Sequence, residues 1–211
     1  MPYTRGNSNN IIVGAASFFV ADTVLDSAAL PAFVATESYR ETLADDVDFT
    51  NVGYTMNGLE LQFQPDFGEV QVDQLLDVAK LFKQGMTVNL ATAFAEATLE
   101  NLLIALAYGT DKLTGTKSTS AGQALDLSAG DLGECPVERG IVAVGPGTGD
   151  CADSGTVERV YAAYRALSIE NVTVSAKRDE ASMFEVSFRL LPDDTDASYG
   201  KIIDRTWAPA S

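Results

Sequence analysis

The chain has 211 residues, of which 46% are hydrophobic and 21% are charged, a composition typical of a globular protein rather than a disordered one. At this length one domain buries roughly 70% of its unfolded surface, so residues 1–211 are predicted to form a single domain. Thirty acidic residues against fourteen basic ones give a net charge of −16, which disfavours nucleic-acid binding through neutralised phosphates.

The first ten residues are polar and are predicted to form an arm. Residues 11–21 are the longest apolar run, too short to cross a bilayer and a poor match to a signal peptide. We therefore expect a first β-strand there, no membrane anchoring, and assembly in the cytoplasm. Residues 22–50 are a long acidic connection, and its apolar side chains are predicted to lie on another surface: Leu25, Leu30, Phe33, Val34, Tyr39 and Leu43.

Residues 58–73 alternate between apolar and polar side chains, which indicates two strands with one buried and one exposed face. A turn signal at 65–68, from Pro65 to Gly68, predicts a hairpin that pairs Gln64 with Glu69. The predicted buried face is Leu59, Leu61, Phe63, Val70 and Val72. The predicted exposed face is acidic or amide and consists of Glu60, Gln62, Gln64, Glu69, Gln71 and Asp73.

Another alternating strand starts at Gly85, and Thr98 then caps a predicted helix that runs to Tyr108, with Gly109 after its end. The expected core stripe of this helix is Leu99, Leu102, Leu103 and Leu106. Ile104 and other apolar residues cover most of the remaining surface. Such a helix must be covered on a second side, either by another layer of the domain or by a neighbouring subunit.

Residues 110–155 are rich in Gly, Ser and Thr and are predicted to be an insertion with one strand at 139–144. The segment contains both cysteines, Cys135 and Cys151. A disulfide between them would stabilise the fold by roughly 3 kcal/mol. In a reducing cytosol, however, we expect free thiols that pair only late, after cell lysis.

Towards the C-terminus, residues 156–168 fit a helical stripe better than a strand by count, whereas the residues after them alternate. Residues 183–191 predict a long strand with Phe184, Val186, Phe188 and Leu190 facing inward. Residues 201–204 predict a short terminal strand, and 205–211 a terminal arm.

Several of these segments together resemble the major tail tube proteins of long-tailed bacteriophages. The segments are NGLELQF at 57–63, EVQVDQ at 69–74 and EATLENL at 96–102, with VGAA at 13–16 and GYTMNG at 53–58 upstream. Downstream they are FEVSFRLLPD at 184–193 and IIDR at 202–205. The resemblance covers most of the chain except about 110–155. These patterns are strands and turns, which are less specific than a metal or nucleotide motif.

The resemblance implies a mainly β (α+β) fold, a sandwich or barrel of two packed sheets with one short helix, and a strand at 156–168. It also implies stacked hexameric rings that form the conduit for DNA ejection in the virion tail, assembled in the host bacterial cytoplasm. The implied partners are other copies of the chain and the tape measure, tail terminator and baseplate proteins, while DNA passes without specific binding.

The resemblance and the apolar surfaces together give two sets of candidate residues. The connection at 22–50 would reach a neighbouring subunit, as in the family, and the candidate subunit-interface residues are Phe33, Tyr39, Ile104 and Tyr108. The exposed hairpin face would line the tube, so Glu60, Gln62, Gln64, Glu69, Gln71 and Asp73 are the candidate lumen residues.

We predict no catalytic, cofactor or metal site. The chain has no histidine, and GPGTGD at 145–150 lacks the Lys-Ser/Thr ending of a phosphate loop. The acidic runs at 45–48 and 193–196 lack the glycine and closing glutamate of an EF-hand. Alternative functions are a ring protein of a related injection system, a capsid decoration protein, or an acidic β-sandwich binding module or enzyme.

Overall fold

Strands dominate the computed structural model, which describes residues 10–26, 28–71, 73–74, 77–133, 135–149, 156–174, 178 and 182–209. Strands account for 45% of the residues and helices for 10%, so the prediction of a mainly β fold is confirmed. The strands are β1 Ser17–Ala21, β2 Phe49–Asn51, β3 Thr55–Gln71, β4 Val78–Phe94, β5 Leu113–Gly115, β6 Gln123–Leu125, β7 Arg139–Pro146, β8 Val157–Ser168, β9 Phe184–Leu191 and β10 Gly200–Thr206. The helices are α1 Tyr39–Asp45 and α2 Leu99–Ala105, with a 3-10 turn at Thr110–Lys112.

The main sheet is antiparallel and follows the order β2-β1-β7-β8-β9-β4-β3, with β10 added on β8. One edge of β8 pairs with β7. Its other edge pairs with β10 over residues 157–163 and with β9 over residues 165–168, so the sheet forks at β8. The first half of the sheet is β2-β1-β7-β8-β10 and the second half is β9-β4-β3. One forked sheet thus takes the place of the two separate sheets that were predicted, and β5–β6 form a small second sheet.

The two halves of the sheet face each other across the main core. Phe18 of the first half lies with its ring centre 5.7 Å from that of Phe94 and 6.2 Å from that of Phe188, both in the second half. Burying each such side chain contributes about 1.5–3 kcal/mol. The alternation predicted for the last long strand is confirmed, because the inward residues are buried in this core: Phe184, Val186, Phe188 and Leu190.

The outer face of the first half is covered by the connection between β1 and β2, which contains α1. The Ser38 hydroxyl caps α1 by accepting a hydrogen bond from the Arg40 amide. Tyr39 and Leu43 are fully buried in a second apolar cluster on β7 and β8. The prediction of a single helix is therefore wrong. There is little sign of α1 in the sequence because this helix has only two buried residues, Tyr39 and Leu43.

A buried carboxylate fastens this connection to the sheet. Glu158 on β8 accepts hydrogen bonds of 2.8 Å from the Ser38 hydroxyl and from the Tyr39 amide. The Arg205 Nε atom lies 3.3 Å from Glu158 Oε1, and both side chains are less than a tenth exposed. The connection is thus held against the chain's own sheet at the start of α1.

Arg205 also holds the residues that precede α1. Its guanidinium donates hydrogen bonds of 2.6 Å to the Val34 carbonyl and 2.9 Å to the Glu37 carbonyl. The same group lies 5.0 Å from the centre of the Phe33 ring, within cation–π range. The predicted arm at 205–211 is therefore wrong at its start, because Arg205 belongs to β10 and to this network.

Helix α2 is shorter than predicted. Thr98 caps it as expected, accepting a hydrogen bond from the Asn101 amide, but the helix ends at Ala105. Ala107, with φ of 55°, takes the left-handed position that was assigned to Gly109. The Ala107 amide donates to the Ile104 carbonyl and the Tyr108 amide to the Leu103 carbonyl, which closes the helix end.

The buried side of α2 also differs from the predicted leucine stripe. Its buried residues are Asn101, Leu103, Ile104 and Ala105. The Asn101 side-chain amide donates to the carbonyls of Val52 and Glu96, which compensates for burying this polar group.

The segment predicted as an insertion contains part of the core. β7, within 110–155, lies between β1 and β8 at the centre of the first half, and its strand was predicted correctly. The described residues of this segment before β7, which include β5 and β6, lie outside the main sheet. The segment at 156–168 contains β8, Val157–Ser168, so the strand that the resemblance implied there is confirmed. β1 starts at Ser17, six residues later than predicted, and the predicted arm lies almost wholly outside the described residues.

Candidate assembly surface

The β3–β4 hairpin is longer than the sequence predicted. β3 runs straight through residues 65–68, and its pairing with β4 continues to Gln71 opposite Val78. The predicted turn at 65–68 is therefore wrong, and residues 72–77 join the two strands. Pro65 is compatible with the strand because β3 is at the edge of the sheet, where one side of its backbone has no partner strand.

The six candidate lumen residues do not share one face of the hairpin. Gln64 pairs with Thr87 rather than with Glu69, and Glu69 pairs with Leu81. Beyond Glu60 both register irregularities add a residue to β4 and none to β3, so even-numbered and odd-numbered side chains of β3 lie on opposite faces. All six are exposed, with Glu60, Gln62 and Gln64 on one face, Glu69 and Gln71 on the other, and Asp73 in the connection.

The base of the hairpin packs on the core, together with Met86, whose carbonyl accepts a hydrogen bond from the Tyr199 hydroxyl. Leu59 and Leu61 pack against the main cluster, and Val88 and Leu90 are buried in it, which confirms Leu59 and Leu61 as inward residues. We call residues 65–71 and 78–86 the tip. Large apolar side chains of the tip are exposed: Phe67, Val70, Leu81 and Phe82.

The tip thus breaks the predicted division into a buried and an exposed face. Phe63, at the end of the base, is 53% exposed and Val70 is 40% exposed, so their predicted burial is wrong, while Val72 lies outside the described residues. The reason is that the ribbon leaves the core here, so that among the described residues of the tip Met86 alone packs against the main cluster.

The tip reaches well beyond the domain. From Pro65 to Gln71 a paired strand extends about 20 Å. A free two-stranded ribbon is marginally stable in water, and monomeric proteins rarely expose clustered apolar side chains. Length and composition together indicate a surface for contact with another molecule.

Gly68 fixes the shape of the tip. It pairs with Phe82, and a Cβ atom at position 68 would lie 2.5 Å from Phe82 Cζ. The absence of a side chain at position 68 therefore leaves room for the Phe82 ring and the Gln84 side chain across β3. On the opposite face Phe67 lies diagonally across from Leu81, so each face of the tip presents one aromatic ring.

An apolar cleft opens where the fork separates β10 from the hairpin base. We call the section that reaches the buried residues Val88 and Leu90 the inner section, and its volume is about 160 Å³. The outer section borders Gly14 and Pro146 and has a volume of about 350 Å³. Within the described chain β10 pairs only with β8, so the cleft lies along an unpaired strand edge. The residues shared by both sections are Leu61, Phe63, Tyr161 and Ile202. Sequence reasoning missed the cleft because its lining combines β3, β4, β8, β9 and β10 with the segments at 12–16 and 145–146, which are far apart in the sequence.

The β10 wall of the cleft is held in place by an ion pair. Arg159 on β8 donates two hydrogen bonds to the Asp204 carboxylate on β10. These bonds lower the pKa of Asp204, because they stabilise its charged form.

The four candidate interface residues have different surroundings. Tyr39 and Ile104 are 0% and 5% exposed, so the chain itself already covers their side chains. The argument that a neighbouring subunit is needed to cover them therefore does not apply. Tyr108 is half-buried and donates a hydrogen bond to the Ser128 carbonyl. Phe33 remains exposed beside Arg205.

The remaining chemistry is sparse. The Cys135 thiol is exposed and free, and Cys151 lies outside the described residues. Among the described residues, no three His, Cys, Asp or Glu side chains converge as metal ligands would. None of the described helices is long and apolar enough to cross a membrane.

Comparison of the chain with protein-family models gives no match, and comparison with curated proteins gives no significant one.

Proposed function

We propose that this chain is a structural protein that assembles with copies of itself into stacked rings, forming the tail tube through which a bacteriophage ejects its DNA. The observation that carries this proposal is the exposed apolar tip of the β3–β4 hairpin. The resemblance to tail tube proteins supports it, since its segments fall on β3, α2, β9 and β10.

A projecting tip suits ring formation in particular. We place the tip against a different patch on the next copy, which makes the contact head-to-tail. Head-to-tail contacts close into a ring when the rotation between copies divides a full turn, and they form an open helical filament otherwise. Tape measure, terminator and baseplate proteins would then contact the ends of the stack.

The exposed face with Glu60, Gln62 and Gln64 would line the lumen. Repeated around each ring, the Glu60 carboxylate and the amides would form a wall without a group that clamps a phosphate. At physiological salt the field of such a wall decays over about 8 Å, so it would keep DNA from adhering without closing the bore.

Electron microscopy of the purified chain in negative stain, together with sedimentation velocity, tests the proposal. We expect rings with a central hole or tubes. In the informative variant, residues 65–86 are replaced by Asn-Gly, which joins the paired residues Gln64 and Thr87 by a two-residue turn. This variant should keep its circular dichroism spectrum and sediment as a monomer.

Two results would contradict the proposal. A parent chain that stays dispersed at all concentrations would favour the binding-module alternative. Rings of normal size formed by the shortened variant would show that the tip is not the contact on which assembly depends.

A further inference from the structure

We infer that the cleft between β10 and the hairpin base is the acceptor for the hairpin tip of a second copy of this chain. The inference rests on the proposed function and names the two surfaces that meet in it. It is carried by the fit of the cleft to one aromatic ring, by charge, and by the direction in which the tip extends.

The inner section of the cleft has the size of one aromatic ring. Its volume of about 160 Å³ is close to the cavity of about 150 Å³ that holds a benzene molecule in an apolar protein interior. Its walls include Leu61, Val88 and Leu90. Phe67 is the more exposed of the two tip phenylalanines, at 55%, and is therefore the ring that we place in the cleft.

The charges on the Phe67 face of the tip balance each other. Phe67 pairs with Lys83, and Glu69 follows Phe67 on the same face of β3, so this face carries one charge of each sign. An inserted tip therefore adds no net charge to the cleft of the next copy, in a chain that is otherwise strongly acidic. The cleft wall also includes Lys201, which pairs with Ala162 and so lies on the face of β10 opposite to Ile202.

The tip of the same copy cannot fill its own cleft. Phe63 lies at the cleft and Phe67 lies four residues further along the same paired strand, about 13 Å away. Returning the Phe67 ring to the cleft would require breaking the β3–β4 pairing. Each copy therefore offers one tip and one empty acceptor, which is the arrangement of a head-to-tail contact.

Complementation between two defective variants tests this contact. Phe67→Glu removes the tip ring, and Ile202→Glu places a charge at the mouth of the cleft, where the side chain is 53% exposed and the fold tolerates it. Each variant alone should remain folded but need roughly 30-fold or more protein to assemble, the loss expected for a central aromatic contact. In an equimolar mixture, the intact tip of Ile202→Glu can bind the intact cleft of Phe67→Glu, so the two variants should form a dimer. The dimer should not grow further, because its remaining tip and its remaining cleft are both defective.

Two controls separate this contact from a general effect of charge. Val47→Glu changes an aliphatic residue that is 95% exposed and lies outside both surfaces, so it should assemble like the parent. Ile202→Lys should behave like Ile202→Glu, because the loss comes from filling an apolar mouth with a charged group rather than from adding negative charge.

The outcomes distinguish the docking from the proposed function. If the parent forms rings and both Ile202 variants also form them, the cleft is not the acceptor and the proposed function stands. If the equimolar mixture stays monomeric although both variants are folded, the two surfaces do not meet each other. A parent that never assembles would overturn both proposals.

Discussion

Replacing Arg205 tests whether the connection that carries α1 is fastened by the buried ion pair. In Arg205→Met the Glu158 carboxylate, 5% exposed, keeps its bonds from Ser38 and Tyr39 but loses its counter-charge. Leaving one partner of a buried pair uncompensated costs about 3–5 kcal/mol. For a domain of this size each kcal/mol lowers the melting temperature by about 2–4 °C, so we expect a fall of roughly 6–20 °C.

The assay combines thermal and urea unfolding with limited proteolysis. Arg40, in the first turn of α1, is a trypsin site that local release of the connection would expose before the sheet unfolds. Adding Glu158→Gln to Arg205→Met should recover part of the lost stability, because the double variant buries no charge at the site. With the single Glu158→Gln variant completing the cycle, the coupling between the two positions measures the ion pair itself.

Arg189→Met is the matched control, since Arg189 is exposed on β9 and should change stability by less than about 0.5 kcal/mol. If Arg205→Met is no less stable than this control, or if the double variant is as unstable as the single one, the carboxylate is hydrated and the pair does not fasten the connection.

Two further predictions concern the cores. Ile104→Asp buries a carboxylate in the main cluster and should destabilise the chain by more than about 4 kcal/mol, which would be seen as a loss of soluble folded protein. The control Val47→Asp changes an exposed residue and should alter stability by less than about 0.5 kcal/mol. A folded Ile104→Asp chain would show that α2 is covered only loosely. Burial raises the pKa of Tyr39 from 10.0 to about 12, so its contribution to stability should be complete below pH 10 and fall by up to about 3 kcal/mol as pH rises towards 12. Urea unfolding between pH 9 and 11.5 measures this slope, which Tyr39→Phe should reduce; an unchanged slope would contradict the assignment.

The strands that were predicted well are those whose burial follows a simple period. β9 has Phe184, Val186 and Phe188 in the main core. On its other face Glu185 and Arg189 are exposed, and only the small Ser187 is buried. A helix at 156–168 was the better match by count, but β8 has β7 on one edge and β10 and β9 on the other, and this pairing decides its conformation. Such tertiary pairing leaves little local signal.

The hairpin shows how a correct local rule gave a wrong result. Pro65 and Gly68 have the spacing of a turn, yet Pro65 lies on an edge strand and Gly68 makes room for the Phe82 ring. Because β3 continues to Gln71 without a turn, Glu69 and Gln71 lie on the face opposite to Gln64, which divides the predicted acidic face. Likewise, α1 was missed because two buried residues, Tyr39 and Leu43, make too short a pattern.

The acidic charge and the apolar tip make opposite demands on self-association, and together they explain why the contact should be narrow. Copies that each carry a net charge of −16 repel one another over the screening length of about 8 Å at physiological salt. Broad face-to-face packing would bring many carboxylates within that distance. A ribbon about 20 Å long instead places its apolar side chains on a neighbour while the two domains stay further apart. The hydrophobic gain is thus concentrated at the tip, where the exposed positive groups Lys80 and Lys83 also lie.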